Sequence, residues 1–103
     1  MTIESFRILL ADDDATVRLL MHAALLKAGF QVTLACDGEE AVRLFEAAPA
    51  DMVMLDVEMP GMDGYQVCSY LRTKIGNELP IMMVTGMDDM QSIDRAFEAG
   101  ETD

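Results

Sequence analysis

The stretch MVMLDVEMPGMDG, residues 52–64, constrains the fold more than any other part of the chain. An apolar run of Met52, Val53, Met54 and Leu55 leads straight into Asp56, and the following eight residues include Pro60, Gly61 and Gly64, which interrupt regular structure. This is the pattern of a short buried strand that ends in a carboxylate. In an open α/β sheet, ligands sit just outside the carboxyl ends of the strands, so Asp56 stands where chemistry would be done.

The flanking sequence supplies the rest of such a sheet. Residues 6–11 (FRILLA) form an apolar run that ends at Asp12, Asp13 and Asp14, and the Asp14 side chain suits the N-cap of a following helix. Val17, Leu20, Met21, Ala24, Leu25 and Ala28 keep the helical period, with Gly29 as a stop. Residues 30–35 (FQVTLA) alternate as a second strand, ended by Asp37 and Gly38. A second helix over 39–48 places Ala41, Leu44, Phe45 and Ala48 on one face, and Pro49 closes it. After the central strand, 65–74 reads as a third helix with Val67, Cys68 and Leu71 inward. Residues 81–84 (IMMV) read as a fourth strand that ends at Thr85 and Gly86. Asp88 or Asp89 can cap a fourth helix with Ile93, Ala96, Phe97 and Ala99 on its face and Gly100 at its end.

Strands that alternate with helices imply a parallel sheet covered on both faces. With right-handed crossovers, the ends of strands one, three and four reach the same rim, bringing Asp12, Asp13, Asp56 and Thr85 together. Like charges crowded this closely resist joint ionisation unless a cation intervenes. Oxygen-only ligands with room for water suit Mg²⁺ better than a closed calcium cage. An EF-hand loop fails on spacing, because the twelfth position counted from Asp12 or Asp56 is Ala23 or Val67, not a glutamate.

Composition narrows the possible partners. A chain of 103 residues fits one domain, and 7 basic against 19 acidic residues give a net charge of −12. Such a surface repels phosphate backbones and anionic lipid, so neither nucleic acid nor membrane is expected as a direct partner. The apolar stretch 19–26 is interrupted by His22 and is too short to span a bilayer, and residues 1–6 lack the character of a secretory signal. A cytoplasmic location is therefore expected. Cys36 and Cys68 lack ligand spacing and read as two reduced, largely buried thiols, and the ten methionines read as adaptable core filler. His22, in an apolar helical context, reads as packing or surface.

The motifs LLADDD at 9–14, MLDVEMPGMDG at 54–64, IMMVTG at 81–86 and AFEAGETD at 96–103 together resemble the receiver domain of bacterial two-component response regulators. The resemblance covers nearly the whole chain, in order and at matching spacing. It implies a flavodoxin-like doubly wound parallel α/β sheet of strand order 2-1-3-4. It also implies that Asp56 accepts a phosphoryl group from a sensor histidine kinase or phosphotransfer protein. Asp13 would bind Mg²⁺ directly and Asp12 mainly through water, with Asp56 and the backbone carbonyl of Glu58 completing the protein ligands. Thr85 would contact a phosphoryl oxygen and act as the switch, while Pro60, Gly61 and Gly64 would shape the loop beside the acceptor.

Against the family pattern, residues 1–103 read as a receiver that stops before the fifth strand, the lysine at that strand's end and the fifth helix. Lys74 falls at a helix end and does not take that lysine's place. Strand four then becomes a bare apolar edge, which favours self-association or domain swapping. Two other readings compete with a phospho-accepting signalling module, which would not be an enzyme. One is a phosphorylation-incompetent receiver serving as an interaction surface. The other is a Mg²⁺-dependent phosphohydrolase of the haloacid dehalogenase type, suggested by Asp56-Val57-Glu58, although that family has a second aspartate where Glu58 stands.

Overall fold

The computed structural model of the protein describes residues 6–84. In chain order its elements are β1 (Arg7–Ala11), α1 (Ala15–Lys27), β2 (Gln31–Ala35), α2 (Gly38–Ala47), β3 (Met52–Asp56), α3 (Gly64–Ile75) and β4 (Ile81–Val84). The strands form one parallel sheet in the order β2-β1-β3-β4, as the resemblance to receiver domains implies. Thr85 and the fourth helix expected after Asp88 or Asp89 lie outside the described residues.

Alternation along the strands separates two faces. Leu9 and Ala11 of β1, Val53 and Leu55 of β3, and Ile81 and Met83 of β4 pack in one cluster with Ala41 and Phe45 of α2 and Val67, Cys68 and Leu71 of α3. The expected inward residues of α3 are therefore inward. Ile8 and Leu10 are equally buried but stand outside this cluster, because a period of two sends them to the opposite face, where α1 lies over β1 and β2. Right-handed crossovers account for the division: the chain moves one way across the sheet to reach β2 and the other way to reach β3 and β4.

Helix α1 differs from the sequence expectation. No residue of α1 is buried, and its inward stripe is Arg18, Met21, His22 and Leu25, each half-buried at the i, i+3, i+4, i+7 spacing. Val17, Leu20, Ala24 and Ala28, assigned to the packed face from their period, are exposed, and Leu19 and Leu20 are 66% and 65% accessible. Apolar residues lie all around this helix, so periodicity alone could not select the side that meets the sheet. Ala48, expected on the α2 face, is an exposed C-cap residue, and Cys36 is exposed because it sits in the turn just beyond β2. Cys68 is buried as expected.

Candidate functional site

Register creates the site. Ala11 pairs with Leu55, so the next residues on the two strands, Asp12 and Asp56, lie side by side at the carboxyl rim. Asp13 follows in the turn, and carboxylate oxygens of Asp12, Asp13 and Asp56 all lie within 4.8 Å of one another. This is the one such group of potential metal ligands among the described residues.

Local hydrogen bonds hold the turn that carries Asp12. The Asp12 backbone N–H continues the sheet by donating to the Ala35 carbonyl at 3.1 Å, and the Asp12 carboxylate accepts from the Asp14 N–H at 2.9 Å. Asp14 is the N-cap of α1, accepting from the N–H groups of Thr16 and Val17 at 2.8 and 3.1 Å. Arg18, about one turn into α1, reaches back so that its Nη1 donates to the Asp12 carbonyl at 2.6 Å. Asp12 is 5% exposed, the one buried charged side chain among the described residues.

Asp56 ends β3 and is half-buried. Its carboxyl is pushed up to about 7, first by burial, then by the charge of Asp12 and by a hydrogen bond and charge from Asp13; the backbone N–H of Glu58 opposes this by donating to it. A carboxyl that resists ionisation beside two other carboxylates is an electrostatic demand for a cation. Three carboxylates open to solvent at Asp13 provide hard oxygen donors with space for water, a set that fits Mg²⁺.

The loop after Asp56 is placed by two close backbone approaches. At Gly64, a Cβ would stand 2.2 Å from the Asp56 carbonyl oxygen and 2.8 Å from the Met83 Cε, while the Gly64 N–H donates to the Val57 carbonyl at 3.1 Å. At Gly38, the first residue of α2, a Cβ would stand 2.0 Å from the Met62 carbonyl oxygen. The N-terminus of α2 therefore braces the loop that begins at Asp56. Asp63 then starts α3 in a reciprocal capping box, its carboxylate accepting from the Gln66 N–H at 2.9 Å and its own N–H donating to the Gln66 side chain at 2.9 Å.

Asp12, Asp13 and Asp56 thus converge as expected, and Glu58 stands exposed beside them. His22 is half-buried on α1, while Lys74, exposed near the end of α3, lies over the Tyr70 ring at 5.8 Å. Sequence reasoning missed Gly38, Asp37, Asp63 and Arg18. Asp37 caps α2, accepting from the Glu40 N–H at 2.7 Å, rather than simply ending β2. The Asp63-x-x-Gln66 spacing was a readable capping signal. Gly38 carries no local signal of its contact with Met62, which lies more than twenty residues away along the chain.

A doubly wound parallel sheet with an acidic cluster at the carboxyl ends of β1 and the strand beside it defines a receiver-type α/β module. The model of the response regulator receiver domain family matches residues 8–103, and the chain belongs to that family. Among curated relatives, the response regulator MprA of Mycolicibacterium vanbaalenii is 41% identical over 97 residues, covering 94% of this chain and 42% of its own length. MprA of Mycobacterium ulcerans is 39% identical over 99 residues, covering 96% of this chain and 42% of its own length. Among solved structures, the Vibrio cholerae chemotaxis protein CheY4 superposes with a TM-score of 0.88 at 28% identity, covering 95% of this chain and 82% of that one. The receiver domain of Francisella response regulator 1452 does so at 0.86 and 26% identity, covering 96% of this chain and 81% of that one. The chain spans less than half the length of these curated relatives. No helix among the described residues is long and apolar enough to cross a membrane.

Proposed function

We propose that this receiver accepts a phosphoryl group on Asp56 from a phosphohistidine of a sensor histidine kinase or phosphotransfer protein in the cytoplasm. The observation that carries this reading is the convergence of three carboxylate oxygens within 4.8 Å around the end of β3. In the reaction, an Asp56 oxygen attacks phosphorus in line, the phosphorus–nitrogen bond breaks, and the imidazole leaves with a proton from solvent, giving an acyl phosphate. A receiver of this kind passes on a signal and does not turn over a metabolite.

Asp13, Asp12, Asp56 and the carbonyl of Glu58 are the groups that would hold Mg²⁺. When bound, Mg²⁺ supplies the positive charge that keeps Asp56 ionised and stabilises the oxygens of the transferring group. The rise of the Asp56 carboxyl to about 7 supports this division of labour, since a protonated acid is no nucleophile. Thr85 follows β4 directly and is proposed to contact a phosphoryl oxygen.

The test is intact mass after incubation with Mg²⁺ and acetyl phosphate, beside an Asp56→Asn control. A phosphoryl adduct on the parent chain that is absent from the control and from an EDTA-treated sample supports the reading. A folded sample that gains no adduct refutes it, and the module would then act as an interaction surface without phosphorylation. Sustained release of inorganic phosphate from generic phosphomonoesters would point to the phosphohydrolase reading instead.

A further inference from the structure

We propose that Arg18 is a positioning residue for the acidic site, fixing the Asp12–Asp13 segment through its hydrogen bond to the Asp12 carbonyl. Two independent features of the structure lead to this assignment. The first is the contact itself: Nη1 stands 2.6 Å from the carbonyl oxygen, a close approach just under the roughly 2.7–2.9 Å of a charge-assisted bond. The second is where α1 places the residue. Arg18 occupies the inward stripe with Met21, His22 and Leu25, while Leu19, Leu20 and Leu26 are exposed. A guanidinium thus stands toward the sheet on a helix that offers leucines for the same role.

The bond completes a set of anchors on one residue. The Asp12 N–H is held by Ala35 of β2, its Oδ1 by the Asp14 N–H, and its carbonyl by Arg18. Without Arg18 the peptide joining Asp12 to Asp13 loses its side-chain anchor, and the Asp13 carboxylate, exposed and carried on that peptide, is free to turn away from Asp56.

Charge and position predict opposite signs for a cation bound at the triad. A guanidinium near the site repels Mg²⁺, so if Arg18 acted only as a charge, neutralising it would tighten binding. As a positioning residue it preorganises the ligands, and its loss weakens binding, by about tenfold for an outer-shell partner of a metal site. The sign of the change separates the two roles.

The experiment uses the 103-residue chain with Arg18→Met, which keeps an apolar stem, and Arg18→Gln, a second neutral variant of different side-chain chemistry. Lys27→Met, at the far end of the same helix, is the control for removing a positive charge. Two readouts are taken: Mg²⁺ affinity by calorimetry, and amide hydrogen exchange at Asp12 and Asp14 without metal. The expected result for both Arg18 variants is about tenfold weaker Mg²⁺ binding and faster exchange at the Asp14 N–H, with Lys27→Met unchanged in both. Unchanged or tighter binding with parent-like exchange overturns the proposal. The Mg²⁺ arm rests on the function proposed above, and the exchange arm does not. If the parent chain binds no Mg²⁺, that reading of the site fails by itself. Exchange at Asp14 then decides the role of Arg18, acceleration supporting it and parent-like rates overturning it.

Discussion

Replacing Asp56 by Asn should make the metal-free protein more stable. The carboxyl is held at about 7 against an ordinary 3.8, with burial as the largest cause and the charge of Asp12 next. Folding therefore raises its affinity for a proton, and between roughly pH 4 and pH 7 the unfolded chain binds fewer protons than the folded one, so stability falls as pH rises through that window. A shift of about three units sets a ceiling of about 4 kcal/mol at 1.36 kcal/mol per unit. Asp56 is only half-buried and shares the shift with its neighbours, and solvent screening brings the usable value down to about 1–2 kcal/mol. Asn is close in size, can still accept from the Glu58 N–H and carries no charge to set against Asp12 and Asp13. The assay is thermal unfolding of the two proteins in EDTA from pH 4 to pH 8. The variant should gain little near pH 4 and about 5–10 °C by pH 8. Saturating Mg²⁺ should shrink or reverse the gap, because the parent alone keeps all three carboxylates. A variant less stable than its parent at pH 8, or a gap independent of pH, would refute the claim that crowding and burial raise this carboxyl.

Gly64→Ala places a methyl 2.2 Å from the Asp56 carbonyl, so urea unfolding should show a loss of about 2–4 kcal/mol, with Mg²⁺ affinity reduced in the fraction that stays folded. Asp63→Ala removes the carboxylate half of the α3 capping box, while the backbone N–H of residue 63 can still donate to Gln66, and should cost about 1 kcal/mol in the same assay, leaving the acidic triad intact.

Much of this protein is legible without a structure because its signals are short-range. The apolar run 81–84, the Asp14 cap and the inward Val67, Cys68 and Leu71 follow from a period of two or 3.6 read over a few residues. Asp56 could be placed at a strand end because Pro60 and Gly61 allow the strand no further extension. The strand order 2-1-3-4 was implied by the resemblance of the motifs to receiver domains, and the sheet has that order.

Tertiary structure decided whatever depends on residues far apart in the chain. The pairing of Ala11 with Leu55 set Asp12 beside Asp56, and a shift of one residue would have turned every side chain of β3 to the other face. The contact of Gly38 with Met62 and the rotation of α1 that turns Arg18 toward the sheet, leaving Leu19 and Leu20 exposed, leave no trace in local pattern. A helix that is apolar nearly all round offers several faces of similar hydrophobicity, so which one meets the sheet is chosen by what lies opposite it. The sequence by itself determined which residues could form the acidic site. Only the packing of the sheet against its helices determined how closely those residues stand and which neighbours hold them there.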